Sequence, residues 1–110
     1  VKYTERKISE ICKALGDPTR LKIIKLCSSK RRMLCVGAIA HELGITQPAV
    51  SQHLKVLRNA GIMEGHRVGF HVHYYVNPDS LKAYKKEFED LFELLAKCCP
   101  PVHSCKRDAD

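Results

Sequence analysis

Apolar and polar positions follow two different periods along this chain, and the switch between them divides it. From residue 4 to residue 15 (TERKISEICKAL), Ile8, Ile11, Cys12 and Leu15 share one stripe at helical spacing, which predicts an amphipathic first helix. Cys12 belongs to that stripe and is expected to act as a small buried hydrophobe. Asp17-Pro18-Thr19-Arg20 then opens a second helix, with Asp17 as cap and Pro18 where a missing N–H costs nothing. It is predicted to run to about residue 28, with Leu21, Ile24 and Cys27 turned inward. Residues 39 to 60 (IAHELGITQPAVSQHLKVLRNA) read as two more helices joined by a short turn. Ala40, Leu43, Val50, Leu54 and Leu57 are the apolar positions, Gly44 is the left-handed stop, and Thr46 is the cap of the second of the pair.

After Gly61 the period becomes two. Residues 62 to 68 and 70 to 76 predict strands joined around Val68-Gly69, with Phe70, Val72, Tyr74 and Val76 alternating against His71, His73 and Tyr75. Asn77-Pro78-Asp79 opens a last helix, roughly Ser80 to Lys97, with Leu81, Tyr84, Phe88, Leu91, Phe92 and Leu95 in one long stripe. A hairpin straight after a helix-turn-helix is a wing. The expected fold class is therefore mainly α with a β-hairpin wing, a winged helix-turn-helix. The last stripe exceeds what one protomer needs, so a homodimer through the first and last helices is expected. Residues 1–97 would form the DNA-binding and dimerisation domain, and residues 98–110 a cysteine-containing tail.

Composition adds a partner class. The formal net charge is +7, which favours a polyanion. No apolar run approaches a membrane-spanning length, and no signal-peptide pattern is present, so a cytoplasmic protein with no membrane partner is expected. In that compartment six cysteines serve as ligands or redox sensors rather than as a disulfide scaffold. Enzyme signatures are missing: no nucleophile elbow, phosphate loop, helical HExxH or Cys-x-x-Cys.

With Val50, Leu54 and Leu57 inward, Gln47, Ser51, Gln52 and Lys55 remain on the outer side of the second helix of the pair, with Pro48 in its first turn. Amides, a hydroxyl and a cation are what a helix lying in a major groove presents to base edges and phosphates. An ordinary helical hairpin is the competing reading. His66, Arg67 and Gly69 at the wing tip would lie along the backbone or minor groove of double-stranded operator DNA, and Lys30-Arg31-Arg32 could contact phosphate.

The runs Ala14-Leu15-Gly16-Asp17-Pro18-Thr19-Arg20-Leu21, Leu34-Cys35-Val36-Gly37-Ala38-Ile39-Ala40, Gln47-Pro48-Ala49-Val50-Ser51-Gln52-His53-Leu54-Lys55-Val56-Leu57 and Ala60-Gly61-Ile62 together resemble the ArsR/SmtB family of winged-helix repressors. The resemblance implies a homodimer that occupies an operator and leaves it when an effector binds. It also implies that the Ser51, Gln52 and His53 region faces DNA, with His53 partly supporting the helix. Metal-sensing relatives often use a Cys-Val-Cys pair in the third helix, but this chain has Cys35-Val36-Gly37, one thiol short. Another family site uses Asp and His of the last helices, and no histidine lies between Ser80 and Lys97. His71 and His73 share a strand face able to hold a metal, although wing histidines more often meet solvent or phosphate.

The tail, Cys98-Cys99-Pro100-Pro101-Val102-His103-Ser104-Cys105, carries three thiols on a short segment that can converge on one soft ion. It is similar to arsenite-responsive relatives with a Cys-Cys pair and a later Cys beyond the last helix. Cys98, Cys99 and Cys105 are thus the expected ligands of As(III) as inducer, with Sb(III), Cd, Pb or Zn as variants. The alternative is a thiol/disulfide redox sensor on the same fold, closing Cys105 onto Cys98 or Cys99.

Overall fold

A computed structural model describes residues 5–29 and 33–97 of the chain. The element order is α1 (Glu5–Leu15), α2 (Pro18–Ser29), β1 (Leu34–Cys35), α3 (Val36–Leu43), α4 (Gln47–Asn59), β2 (Met63–Val68), β3 (His71–Val76) and α5 (Pro78–Lys97). The strands form one antiparallel sheet in the order β1-β3-β2. The architecture is the winged helix-turn-helix that the change of period predicts. Lys30-Arg31-Arg32 and the tail thiols Cys98, Cys99 and Cys105 lie outside the described residues.

One core serves all these elements. Ile11 and Ala14 of α1, Ile23 and Cys27 of α2, Ile39 of α3, and Val50, Leu54 and Leu57 of α4 are buried together with Ile62, Met63 and Tyr84. Each helix turns the apolar line that its sequence offers toward that point, and burying such side chains contributes about 1.5–3 kcal/mol each.

Three expectations about facing are corrected. Cys12 is exposed, because the inward arc of α1 centres on Ile11 and Ala14 and Cys12 lies about 100° round from Ile11. In α2 the inward residues are Ile23 and Cys27, and Leu21 is 41 % exposed. Apolar side chains occur nearly all round α2, so spacing alone does not select its face. Phe70, placed on the apolar face of the second strand by alternation, stands instead in the hairpin turn and is 100 % exposed. The short β1 has too few residues to show any alternation.

The hairpin pairs Met63 with Val76 through to Val68 with His71, leaving Gly69 and Phe70 as a two-residue connection. Gly69 has φ +61°, the positive value required at the first central position of a tight hairpin turn. In α5, Asn77 Oδ1 accepts from the N–H groups of Asp79 (3.0 Å) and Ser80 (3.2 Å), so the helix is capped by Asn77 and starts at Pro78, two residues before the expected Ser80. Tyr84 and Phe88 pack on the core, but farther along Phe92, Leu94 and Leu95 are 64 %, 66 % and 57 % exposed.

Candidate nucleic-acid interface

The turn between α3 and α4 is built by its caps. Gly44 adopts φ +67°, Ile45 N–H donates to Ala40 O at 3.2 Å, and Thr46 Oγ1 accepts from Ala49 N–H at 3.3 Å. Pro48 occupies the first turn of α4, where it forfeits no hydrogen bond. Val50, Leu54 and Leu57 then anchor α4 to the core, and Gln47, Pro48, Ser51, Gln52 and Lys55 are left exposed. An open hollow lined by Ser51, Lys55, Arg58 and Tyr74 joins α4 to the sheet.

His53 behaves differently from its neighbours on α4. It is half-buried, with Nδ1 3.4 Å from Arg20 Nη1 and 3.8 Å from Asp17 Oδ2. Unprotonated Nδ1 accepts from the guanidinium; protonated, it faces the carboxylate. Arg20 is held by its other donors: Nε donates to Ala14 O at 2.6 Å and Nη2 to Lys13 O at 3.0 Å. These are carbonyls of the last turn of α1, where Gly16 N–H also reaches Lys13 O at 3.2 Å. Asp17 Oδ2 in turn accepts from Arg20 N–H at 3.0 Å and caps α2. That backbone hydrogen bond, helped by the nearby His53 and Arg20 charges, holds the Asp17 carboxyl below its ordinary pKa, while partial burial acts the other way. One cluster thus joins the end of α1, the start of α2 and the middle of α4. Asp17 and Arg20 are legible in the sequence as a helix start, but nothing in the spacing links them to His53.

At the far end of α4, Tyr84 Oη donates to Ala60 O at 2.6 Å in a buried contact. Gly61 beside it has φ +75°, and a Cβ there would lie 3.1 Å from that hydroxyl. The stripe in the sequence marks Tyr84 as apolar filling; its hydroxyl adds a tie from α5 to the end of α4.

On the wing, His66 and Arg67 are exposed, opposite His73 and Val72. Glu64 accepts from Tyr75 Oη at 2.7 Å and from Asn77 Nδ2 at 2.9 Å, so its charge is engaged at the base of the hairpin. That carboxylate raises the Tyr75 hydroxyl above its ordinary pKa. Cys35, His73 and His66 occupy one row across the three strands. Among the described residues, however, no three or more His, Cys, Asp or Glu side chains gather in a way that could hold a metal. Cys27 is buried, and desolvation pushes its thiol up to about 11. No helix of the described residues is long and apolar enough to cross a membrane.

A polar helix face rooted in buried leucines, with a β-hairpin beside it, defines a winged helix-turn-helix regulator of the DNA-binding kind. Residues 17–64 match the family described as "Bacterial regulatory protein, arsR family". An uncharacterized HTH-type transcriptional regulator of Methanocaldococcus jannaschii is 42 % identical over 85 residues, covering 77 % of this chain and 94 % of the relative. The arsenic resistance transcriptional regulator of Pseudomonas putida is 38 % identical over 69 residues, covering 63 % of this chain and 53 % of that protein. An ArsR-like transcriptional regulator from Rhodococcus has the same fold, with a TM-score of 0.73 at 22 % identity over 84 % of this chain and 85 % of its own. The chain belongs to the arsR family and is a transcriptional regulator, not an enzyme.

Proposed function

We propose that the chain is a homodimeric repressor that holds operator DNA and releases it when a soft thiophilic ion, As(III) first among them, binds Cys98, Cys99 and Cys105. The observation that carries the DNA half is the outer face of α4: Gln47, Ser51, Gln52 and Lys55 are exposed on a helix fixed from behind by Val50, Leu54 and Leu57. In this reading they enter the major groove with Pro48 at the leading turn, and His66 and Arg67 follow the backbone or minor groove. His53 orients the helix through Arg20 and Asp17 more than it reads bases. The dimer half is supported by Phe92, Leu94 and Leu95, an apolar run too large to stay in water, on the helix that a two-fold partner would cover. Two α4 helices related by that axis would address a palindromic site.

The inducer half is supported by chain order and by the similarity to the arsenic resistance transcriptional regulator of Pseudomonas putida. The thiols follow directly on α5, so drawing them together would bear on the seam between the last helices. Release requires the ion to bind the DNA-free state more tightly than the DNA-bound one. The test is a titration of the reduced, full chain with arsenite, antimonite, cadmium and zinc, read by thiolate absorption and by anisotropy of labelled operator. Cys98→Ser and Cys105→Ser should bind operator normally and fail to release it with arsenite. If both release as the unsubstituted chain does, the tail site is wrong. A chain that binds no duplex with steep salt dependence refutes the repressor itself.

A further inference from the structure

The hairpin tip carries a feature that groove contacts by polar side chains leave unexplained. Gly69, at φ +61°, completes the turn and sets Phe70 as its outermost side chain, 100 % exposed, with Val68 beside it 49 % exposed. A phenyl ring in water at the end of a two-stranded lever is disfavoured unless something covers it. Two observations select the cover. From Gln47 to Val76 the chain has one carboxylate, Glu64, already engaged by Tyr75 and Asn77, against Lys55, Arg58 and Arg67. The segment that carries the ring is therefore net positive, which suits a polyanion and disfavours a second copy of the same tip. In addition, Phe70, Val72, Cys35 and Gln47 line one open hollow, so the wing tip and the start of α4 border the same space and can address the same duplex.

We propose that Phe70 is an apolar wedge that enters the minor groove of operator DNA and unstacks one base step in each half-site. This rests on the DNA-binding reading above and adds to it a specific contact and a distortion. Apolar side chains at such tips are inserted between base pairs and kink the duplex, most readily at flexible pyrimidine–purine steps. Arg67, three residues before the ring, would hold the flanking phosphates.

The experiment uses the full, reduced chain and a duplex that it selects from a random pool, with 2-aminopurine placed at successive steps. The unsubstituted chain should raise the fluorescence at one step per half-site. Phe70→Ala should abolish that rise and weaken binding about tenfold, while the slope of affinity against salt stays the same because no phosphate contact is removed. Its thermal midpoint and sedimentation mass should match those of the unsubstituted chain, since the ring supports no packing. The wedge is overturned if the unsubstituted chain raises fluorescence at no step, if Phe70→Ala binds equally well, or if it keeps the fluorescence rise. It is also overturned if the loss comes with a changed salt slope or a lighter particle. If no duplex is recovered at all, the DNA-binding reading fails and the wedge with it; if one is recovered and Phe70→Ala matches the parent, only the wedge fails.

Discussion

Removing one oxygen atom tests how α5 is fastened to the recognition helix. Tyr84→Phe keeps the ring in the core and deletes only the hydroxyl that donates to Ala60 O at 2.6 Å. The carbonyl is left without that partner in a buried place, and a loss of this kind costs about 1–3 kcal/mol. For a domain of this size each kcal/mol lowers the thermal midpoint by about 4–8 °C, so the effect is well above measurement error. The same hydroxyl lies 3.1 Å from where a Cβ on Gly61 would stand, and Gly61 also needs φ +75°. Gly61→Ala should therefore be destabilising twice over, by about 1–2 kcal/mol of left-handed backbone strain and by crowding against the hydroxyl. In the Tyr84→Phe background the crowding is gone and the strain remains, so the double variant should be more stable than the sum of the singles implies. Urea and thermal unfolding at one fixed protein concentration, needed because association shifts apparent stability, measure the cycle. A Tyr84→Phe variant within about 0.5 kcal/mol of the parent, or strict additivity in the cycle, would refute the reasoning.

Other outcomes follow from the same geometry. Cys27, with its thiol raised to about 11 from 9.0, should alkylate at pH 8 roughly a hundredfold more slowly in the folded chain than in urea, whereas exposed Cys12 should change little; mass mapping of the labelled chain that finds both equally fast would contradict the burial. Because the Asp17 pKa is depressed on folding, its contribution is present above the ordinary aspartate value and is lost as pH falls through the lower folded value. The stability gap between the parent and Asp17→Asn should shrink over that acidic window, and urea midpoints that keep a constant gap would rule the linkage out. Gly65→Ala would set a Cβ 2.8 Å from Val72 Cγ1 and 3.1 Å from Tyr74 Cε1, and should cost about 1–3 kcal/mol. Adding Val72→Ala should recover part of that loss in thermal melts, and no recovery would mean that the crowding lies elsewhere.

Much of the architecture was legible because its boundaries are written in local chemistry. Gly44, Thr46 and Pro48 mark the turn between α3 and α4 whatever surrounds them, and Asn77-Pro78 marks the start of α5. Facing was less legible. Ile8, Ile11, Cys12 and Leu15 fit one stripe on paper, yet a rotation of a fraction of a turn puts Ala14 inside and Cys12 outside. Alternation runs smoothly through Phe70 and predicts a strand residue there, whereas Gly69 moves the turn one residue later. The exposed face of α4 follows from its buried leucines. The ties that fix α4 do not follow: Arg20 to His53 and Tyr84 to Ala60 span 33 and 24 residues, and no periodicity signals them.

The Arg20 guanidinium divides its duties unequally, and this shapes how α4 can move. Two of its nitrogens close the end of α1 through Ala14 O and Lys13 O at 2.6 and 3.0 Å, while the third only approaches His53 at 3.4 Å. Sliding α4 away breaks the long contact and spares the short ones, so neither α1 nor α2 begins to unravel. The junction works as a latch whose keeper stays whole when the bolt is drawn.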